Sequence, residues 1–260
     1  MSTQPLSPPK RPITTVPKHL VIWWAYFFRA WLRKFIGKDK CSPPVRTIWH
    51  GSLRRVTPVS TQYGVERGLP IDRYYVESYL EEESDSVFGR VLESGSSSYS
   101  QRFGKGKVEQ YDVINLKEGS PHTTFRADLA NAPQIPSDIF DCVILAQTFQ
   151  FIYDTKAALE TVHRILKPGG TLLATFSGLS QTSDAEWREY WYWNFTSLSA
   201  RTLFSETFGE ENIELKTYGN VLSATSFMYG LCTKELREDE LDFHDPNYEV
   251  TIAVKATKPR

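Results

Sequence analysis

Hydrophobic positions from Pro70 onward fall into blocks with two different periods. Pro70 to Glu83 reads as a helix with Pro at its start and an acidic outer face. Short apolar runs at Arg90–Ser94, Val108–Val113 and Thr123–Ala127 read as strands. Phe140 to Gln147, "FDCVILAQ", is apolar almost throughout, the pattern of a parallel strand covered on both faces. Thr155 to Leu166 has helical period, with Ala157, Leu159, Val162 and Ile165 inward, and Pro168, Gly169 and Gly170 stop it. "TLLATFS" follows as a buried strand; Ser197–Phe208 reads as a helix, Ile213–Thr217 as a strand and Val221–Leu231 as a helix. "YEVTIAVKAT" alternates and is expected to lie at the end of a sheet. Strands alternating with helices imply a doubly wound α/β sheet that binds ligands outside the carboxyl ends of its strands.

The first 69 residues are patterned otherwise. Residues 1–18 are rich in Pro, Ser and Thr and read as a disordered tail. Residues 19–42 read as an amphipathic helix, and 43–69 as a linker leading into a domain at 70–260. The apolar run Leu20–Phe28 is shorter than the about 20 residues of a membrane span. Its charges follow the apolar run, the reverse of a signal peptide. Trp24, Phe27, Phe28, Trp31 and Phe35 share one face, with Arg29, Arg33 and Lys40 away from it. That segment, residues 20–36, is expected to lie on an anionic membrane surface; a helix docked on protein and a tilted anchor are the rival readings.

Charge sharpens the division. The net charge is −1, yet Met1–Thr57 holds eleven Lys/Arg against Asp39 alone, and the remainder is correspondingly acidic. An acidic body without a basic groove argues against a nucleic-acid substrate. Three widely spaced cysteines, Cys41, Cys142 and Cys232, fit a reducing compartment and predict neither a disulfide framework nor a zinc site. The five His are scattered, so no metal is expected. The expected location is cytoplasmic, at a membrane face if the helix binds one.

The stretch "VLESG…YD…ADL…IFDCVILAQTFQFI…LKPGGTLLATFSG" resembles the class I S-adenosylmethionine-dependent methyltransferases of small-molecule type, over about Pro70 to Lys258. The resemblance implies a mostly parallel seven-stranded sheet with helices on both faces, an antiparallel last strand, and S-adenosyl-L-methionine as cofactor. It places Gly95 at the end of the first strand, where a missing side chain admits the ligand to backbone N–H groups. Glu93 is the acid near the methionine end, and Asp112, set at the end of the second strand, is the ribose acceptor. Asp128 after the third strand matches the adenine-reading acid, with Leu129 against the ring. Gln147 leaves the fourth strand on the ligand side. Arg73, in the run that begins the covering helix, is a candidate partner of the methionine carboxylate.

The glycine loop departs from the family pattern: serines stand at 96, 97 and 98, and Ser94 to Val108 is short for a crossover helix. On the acceptor side, Trp187, Arg188, Trp191 and Trp193 lie in "AEWREYWYWNF" after the fifth strand, where aromatic faces suit a sugar ring or an apolar ligand. No catalytic base stands out. The expected function is methyl transfer to a small acceptor, a saccharide among the candidates. The rivals are a lipid or quinone methyltransferase and a cofactor-free methyltransferase-like module that binds a partner.

Overall fold

The computed structural model describes residues 45–116, 121–182 and 188–260. The expected tail at 1–18 and the helix at 19–42 lie outside the described residues, as does Trp187. Residues 45–55 belong to a separate compact unit, whose described part holds one short 3-10 turn, Gly51–Leu53. Val56–Arg260 form the other unit.

That second unit is built on a seven-stranded sheet: β1 (Gly89–Ser94), β2 (Val108–Asn115), β3 (Phe125–Arg126), β4 (Phe140–Ala146), β5 (Leu166–Ser177), β6 (Ile213–Tyr218) and β7 (Thr251–Thr257). The strand order is β3-β2-β1-β4-β5-β7-β6. All pairs are parallel except those of β7, which runs antiparallel to both β5 and β6. The alternating stretch at the chain's end is therefore not at the sheet edge. β7 sits between two strands and is buried almost throughout, and β6 takes the edge.

The apolar run of β4 has a simple cause. Val143 and Leu145 face one core, while Cys142 and Ile144 face the other. On the first face pack α3 (Thr155–Ile165) and α4 (Ser197–Phe208), through Leu159, Val162, Phe204 and Phe208. On the second pack α1 (Ile71–Glu82) and the short α2 (Ser98–Phe103), through Val76, Tyr79, Leu80 and Phe103. Each fully buried aromatic or aliphatic side chain of this kind contributes roughly 1.5–3 kcal/mol. In α3 the inward position is Ala158 rather than Ala157, a shift of one residue along the same face.

Local sequence explains the helix starts. The Asp154 carboxylate accepts from the Ala157 N–H at 3.0 Å, and the Thr196 hydroxyl from Ser199 N–H. α5 (Val221–Met228) starts at Asn220, whose side-chain oxygen accepts from the Leu222 and Ser223 N–H groups. α5 stops three residues earlier than the sequence predicts, and α6 (Glu238–Asp242) follows it. Early in β5 the chain passes tightly beside the start of β4: a Cβ on Gly170 would stand 2.9 Å from the Phe140 carbonyl oxygen. Among the described residues no helix is long and apolar enough to cross a membrane.

Candidate functional site

A cavity of about 350 Å³ opens at the carboxyl ends of β1, β4 and β5, where Ser94, Ala146 and Ser177 end their strands. α1 closes one side with Asp72, Arg73 and Val76, and the loop after β1 closes another with Gly95, Ser96 and Ser98. This is the place where doubly wound sheets take ligands, and the volume is that of a small-molecule site.

The loop after β1 solves the problem posed by its missing glycines. Only one residue in it needs the left-handed region, and that one is Gly95, at φ +84°. A Cβ there would meet nothing within 4 Å, so the face it presents is open. The serines that follow keep ordinary backbone angles. Glu93 holds the loop in shape. Its buried carboxylate accepts from Tyr99 N–H at 3.1 Å, and from the Ser100 N–H and hydroxyl at 2.8 Å each. Burial still pushes the Glu93 carboxyl above its usual range, against the pull of those hydrogen bonds. A further clamp joins the strand ends: the Ser94 and Thr148 hydroxyls are 2.6 Å apart.

Two groups in the cavity have no protein partner for a shielded polar atom. Asp72 Oδ1 is one, and burial raises the pKa of that carboxyl. The other is the Gln147–Gln150 pair. Gln150 Nε2 donates to Gln147 Oε1 at 2.9 Å, which leaves Gln147 Nε2 and Gln150 Oε1 unpaired. Gln147 also stands at φ +50°, a strained angle for a residue with a Cβ. Buried polar atoms without partners are uncommon. Here three of them line one cavity.

Of the residues that the sequence singles out, Arg73, Glu93, Gly95, Gln147 and Trp191 are brought together in this lining. Asp112, Asp128, Leu129, Arg188 and Trp193 are not among the lining residues. Asp112 is fifth in the eight residues of β2, not at the end of the strand. It is buried and ion-paired with Arg90, with Nε 2.7 Å from Oδ2, and Arg90 lies over the Phe140 ring. The strand runs on through Val113 and Ile114, so its last residue is Asn115. Asn115 is the polar side chain beside the loop: it donates to Thr123 Oγ1 at 2.8 Å and approaches the Gly95 carbonyl at 3.4 Å. Asp128 is exposed and its carboxylate accepts from Ala130 N–H at 2.9 Å, an Asx turn. That turn directs Leu129 into the core. Trp193 is stacked on Tyr153, and its indole N–H donates to the Ile152 carbonyl at 3.1 Å. Arg188 is exposed.

Asp72, Asn115 and Gln150 were not singled out. Asp72 carried a signal, since it neighbours Arg73 at the helix start; Gln150, three residues beyond Gln147, carried none. No histidine lines the cavity among the described residues. His163 packs edge-on against Phe208, and burial lowers its pKa, helped by nearby Lys258. No group of three His, Cys, Asp or Glu side chains among the described residues could hold a metal.

A family profile described as a methyltransferase domain matches residues 103–174, the stretch from the end of α2 through most of β5. The sheet order with one antiparallel strand beside β5 is that of class I methyltransferases. Residues 103–174 match a methyltransferase-domain family, within a fold of the class I methyltransferase type.

Two curated relatives of this domain are ubiquinone/menaquinone biosynthesis C-methyltransferases UbiE. The one from Marinomonas sp. (strain MWYL1) is 30% identical over 86 residues. The one from Pectobacterium carotovorum subsp. carotovorum (strain PC1) is 27% identical over 85. Each match covers 33% of this chain and 32% of the relative, so the chain spans about a third of their length. Among solved structures, a SAM-dependent methyltransferase from Archaeoglobus fulgidus gives a TM-score of 0.49 at 10% identity, over 72% of this chain and 94% of that one. An S-adenosylmethionine-dependent methyltransferase from Mesorhizobium loti gives 0.48 at 16%, over 72% and 98%.

S-adenosyl-L-methionine is the cofactor of the class I family. The cavity fits such a group on its own terms. It offers an open glycine, a shielded carboxylate oxygen without a partner, an arginine, and amide groups with unused hydrogen-bonding capacity. A zwitterionic ligand that also carries hydroxyls and a purine satisfies that set, whereas an apolar one leaves it unpaired.

Proposed function

We propose that the protein transfers a methyl group from S-adenosyl-L-methionine to a small acceptor. The observation that carries this reading is the open Gly95 face beside the partnerless Asp72 and Gln147–Gln150 atoms, in the cavity at the strand ends of a methyltransferase domain. When bound, the cofactor supplies a methyl group on a positively charged sulfur, already activated for attack.

The protein's own residues then bind and orient. Gly95 lets the ligand approach the backbone. Arg73 and Asp72, neighbours at the start of α1, offer opposite charges to a carboxylate and an ammonium group. Glu93 acts on the loop, because its oxygens are already engaged by Tyr99 and Ser100. Gln147 and Gln150 offer a donor and an acceptor at the end of β4. With no histidine among the described lining residues, the reading favours acceptors whose attacking atom is already a good nucleophile, so that proximity and alignment suffice.

The curated relatives lend support to an aromatic, quinone-type acceptor attacking through carbon, since their printed names are quinone C-methyltransferases. The aromatic stretch gives a saccharide less support than its sequence promised: Trp191 alone of its singled-out described residues faces the cavity. The test is transfer of labelled methyl from S-adenosyl-L-methionine to a panel of phenols, quinols, amines and sugars. Incorporation into one class supports methyl transfer. No incorporation into any, together with no binding of the cofactor, points to the cofactor-free partner-binding module instead.

A further inference from the structure

A second cavity, of about 480 Å³, lies beside the first, and its chemistry is opposite. Its walls are largely apolar: Leu179 and Tyr248 on one side, Val221, Ala224 and Met228 of α5 on the other. Leu179, Val221, Met228 and Tyr248 are each exposed to more than a third, an uncommon concentration of large apolar side chains facing solvent in one concavity. Ser180 lines both cavities, so the apolar groove runs on from the polar pocket.

The groove is held in place from both sides. Leu179 continues the sheet, its N–H donating to the Glu249 carbonyl at 2.9 Å, just after Gly178 N–H reaches the Val250 carbonyl. A Cβ at Gly178 would collide with the Glu249 carbonyl oxygen, so this wall is set by close backbone contact. On the other side Asn220 anchors α5, with its amide donating to the Glu240 and Phe243 carbonyls at 2.7 Å each. A preformed apolar groove continuous with a polar cofactor pocket suits one type of ligand: a reactive polar head at Ser180 with an apolar tail along α5.

We propose that this groove is the acceptor's tail site, and that the methyl acceptor is an amphiphile with an alkyl or isoprenoid-like chain. The proposal rests on the methyltransferase reading of the neighbouring pocket, but its test does not need that reading to hold. The full chain is titrated calorimetrically with 4-octylphenol, and with 4-methylphenol as the tail-less control. The groove is then blocked from its open side by Thr225→Trp, and separately made acidic by Met228→Glu; both positions are exposed. The expected result is that 4-octylphenol binds at least about tenfold more tightly than 4-methylphenol, and that either variant removes this difference. S-adenosylhomocysteine affinity should stay unchanged in both, which also reports that they fold. If the tail gives no advantage, or if both folded variants keep it, the tail site is refuted. If S-adenosylhomocysteine fails to bind the unaltered chain, the methyltransferase reading falls while the octylphenol result still decides the groove.

Discussion

Asp112 lies inside β2, whereas Asp72 lines the cavity. Asp112 is buried with Arg90 as its ion partner, so Asp112→Ala strands a cation and removes a hydrogen-bonded pair. Because Arg90 is partly solvated, the loss should be about 2 kcal/mol, below that of a fully buried pair. A lowered urea midpoint with unchanged S-adenosylhomocysteine affinity is the expected result; weakened binding at normal stability would restore Asp112 to the site. Asp72→Asn should do the opposite. It removes a shielded charge one of whose oxygens has no partner, so the free protein should be little changed or slightly more stable, while cofactor-analogue affinity falls about tenfold, the scale of one hydrogen bond to a charged group. Acid should act on the same groups. Asp72 and Glu93 both hold their protons more tightly when folded than when unfolded, owing to burial. Folding therefore takes up protons in the window between the unfolded carboxylate range and their raised folded values. Their contribution to stability is greatest below that window and is lost as pH rises through it. Comparing chemical unfolding of the parent with Asp72→Asn across this range should show the variant's advantage growing toward neutral pH; a pH-independent difference would contradict it.

At the level of elements, the loop after β1 is held by one left-handed glycine and one buried acid. Gly95→Ala should cost about 1 kcal/mol from backbone strain alone, and Gly95→Val should in addition fill the open face and abolish cofactor-analogue binding. Full binding by Gly95→Val would mean that the ligand passes elsewhere. Most elements were legible because burial on both faces writes itself as a continuous run, as in β4, and a one-sided helix as a 3.6 period, as in α3. Strand ends were less so. Ile114 and Asn115 extend β2 past the expected end at Val113, with Ile114 pairing with Ser94 of β1, and this leaves Asp112 inside the strand and Asn115 at its end. β7 alternates like an edge strand, yet it lies inside the sheet, because β6 pairs outside it. Gly95, Gln147 and Arg73 were readable because each adjoins a strand end or helix start. The apolar groove was not, since Leu179, Val221 and Tyr248 meet only through the antiparallel return of β7.

Across the whole molecule, the proposals join a polar cofactor pocket, an apolar groove and a basic aromatic N-terminal stretch outside the described residues. We propose that residues 20–36 bring the chain to anionic membranes, on the strength of the Trp24–Phe28–Trp31 face and the Arg29, Arg33, Lys34, Lys38 and Lys40 cluster. Each basic residue near an acidic leaflet adds about 1 kcal/mol, so binding to phosphatidylserine vesicles should weaken as salt rises. Co-sedimentation that is equal with and without residues 1–44, or absent in both, would refute this. The central claim is narrower: the pocket bounded by Gly95, Asp72 and Gln147 holds the family's cofactor. Calorimetric titration of the full chain with S-adenosylhomocysteine tests it most directly. The account predicts one site per chain with micromolar affinity, lost in Gly95→Val and retained in Asp112→Ala. No heat at millimolar ligand would contradict it.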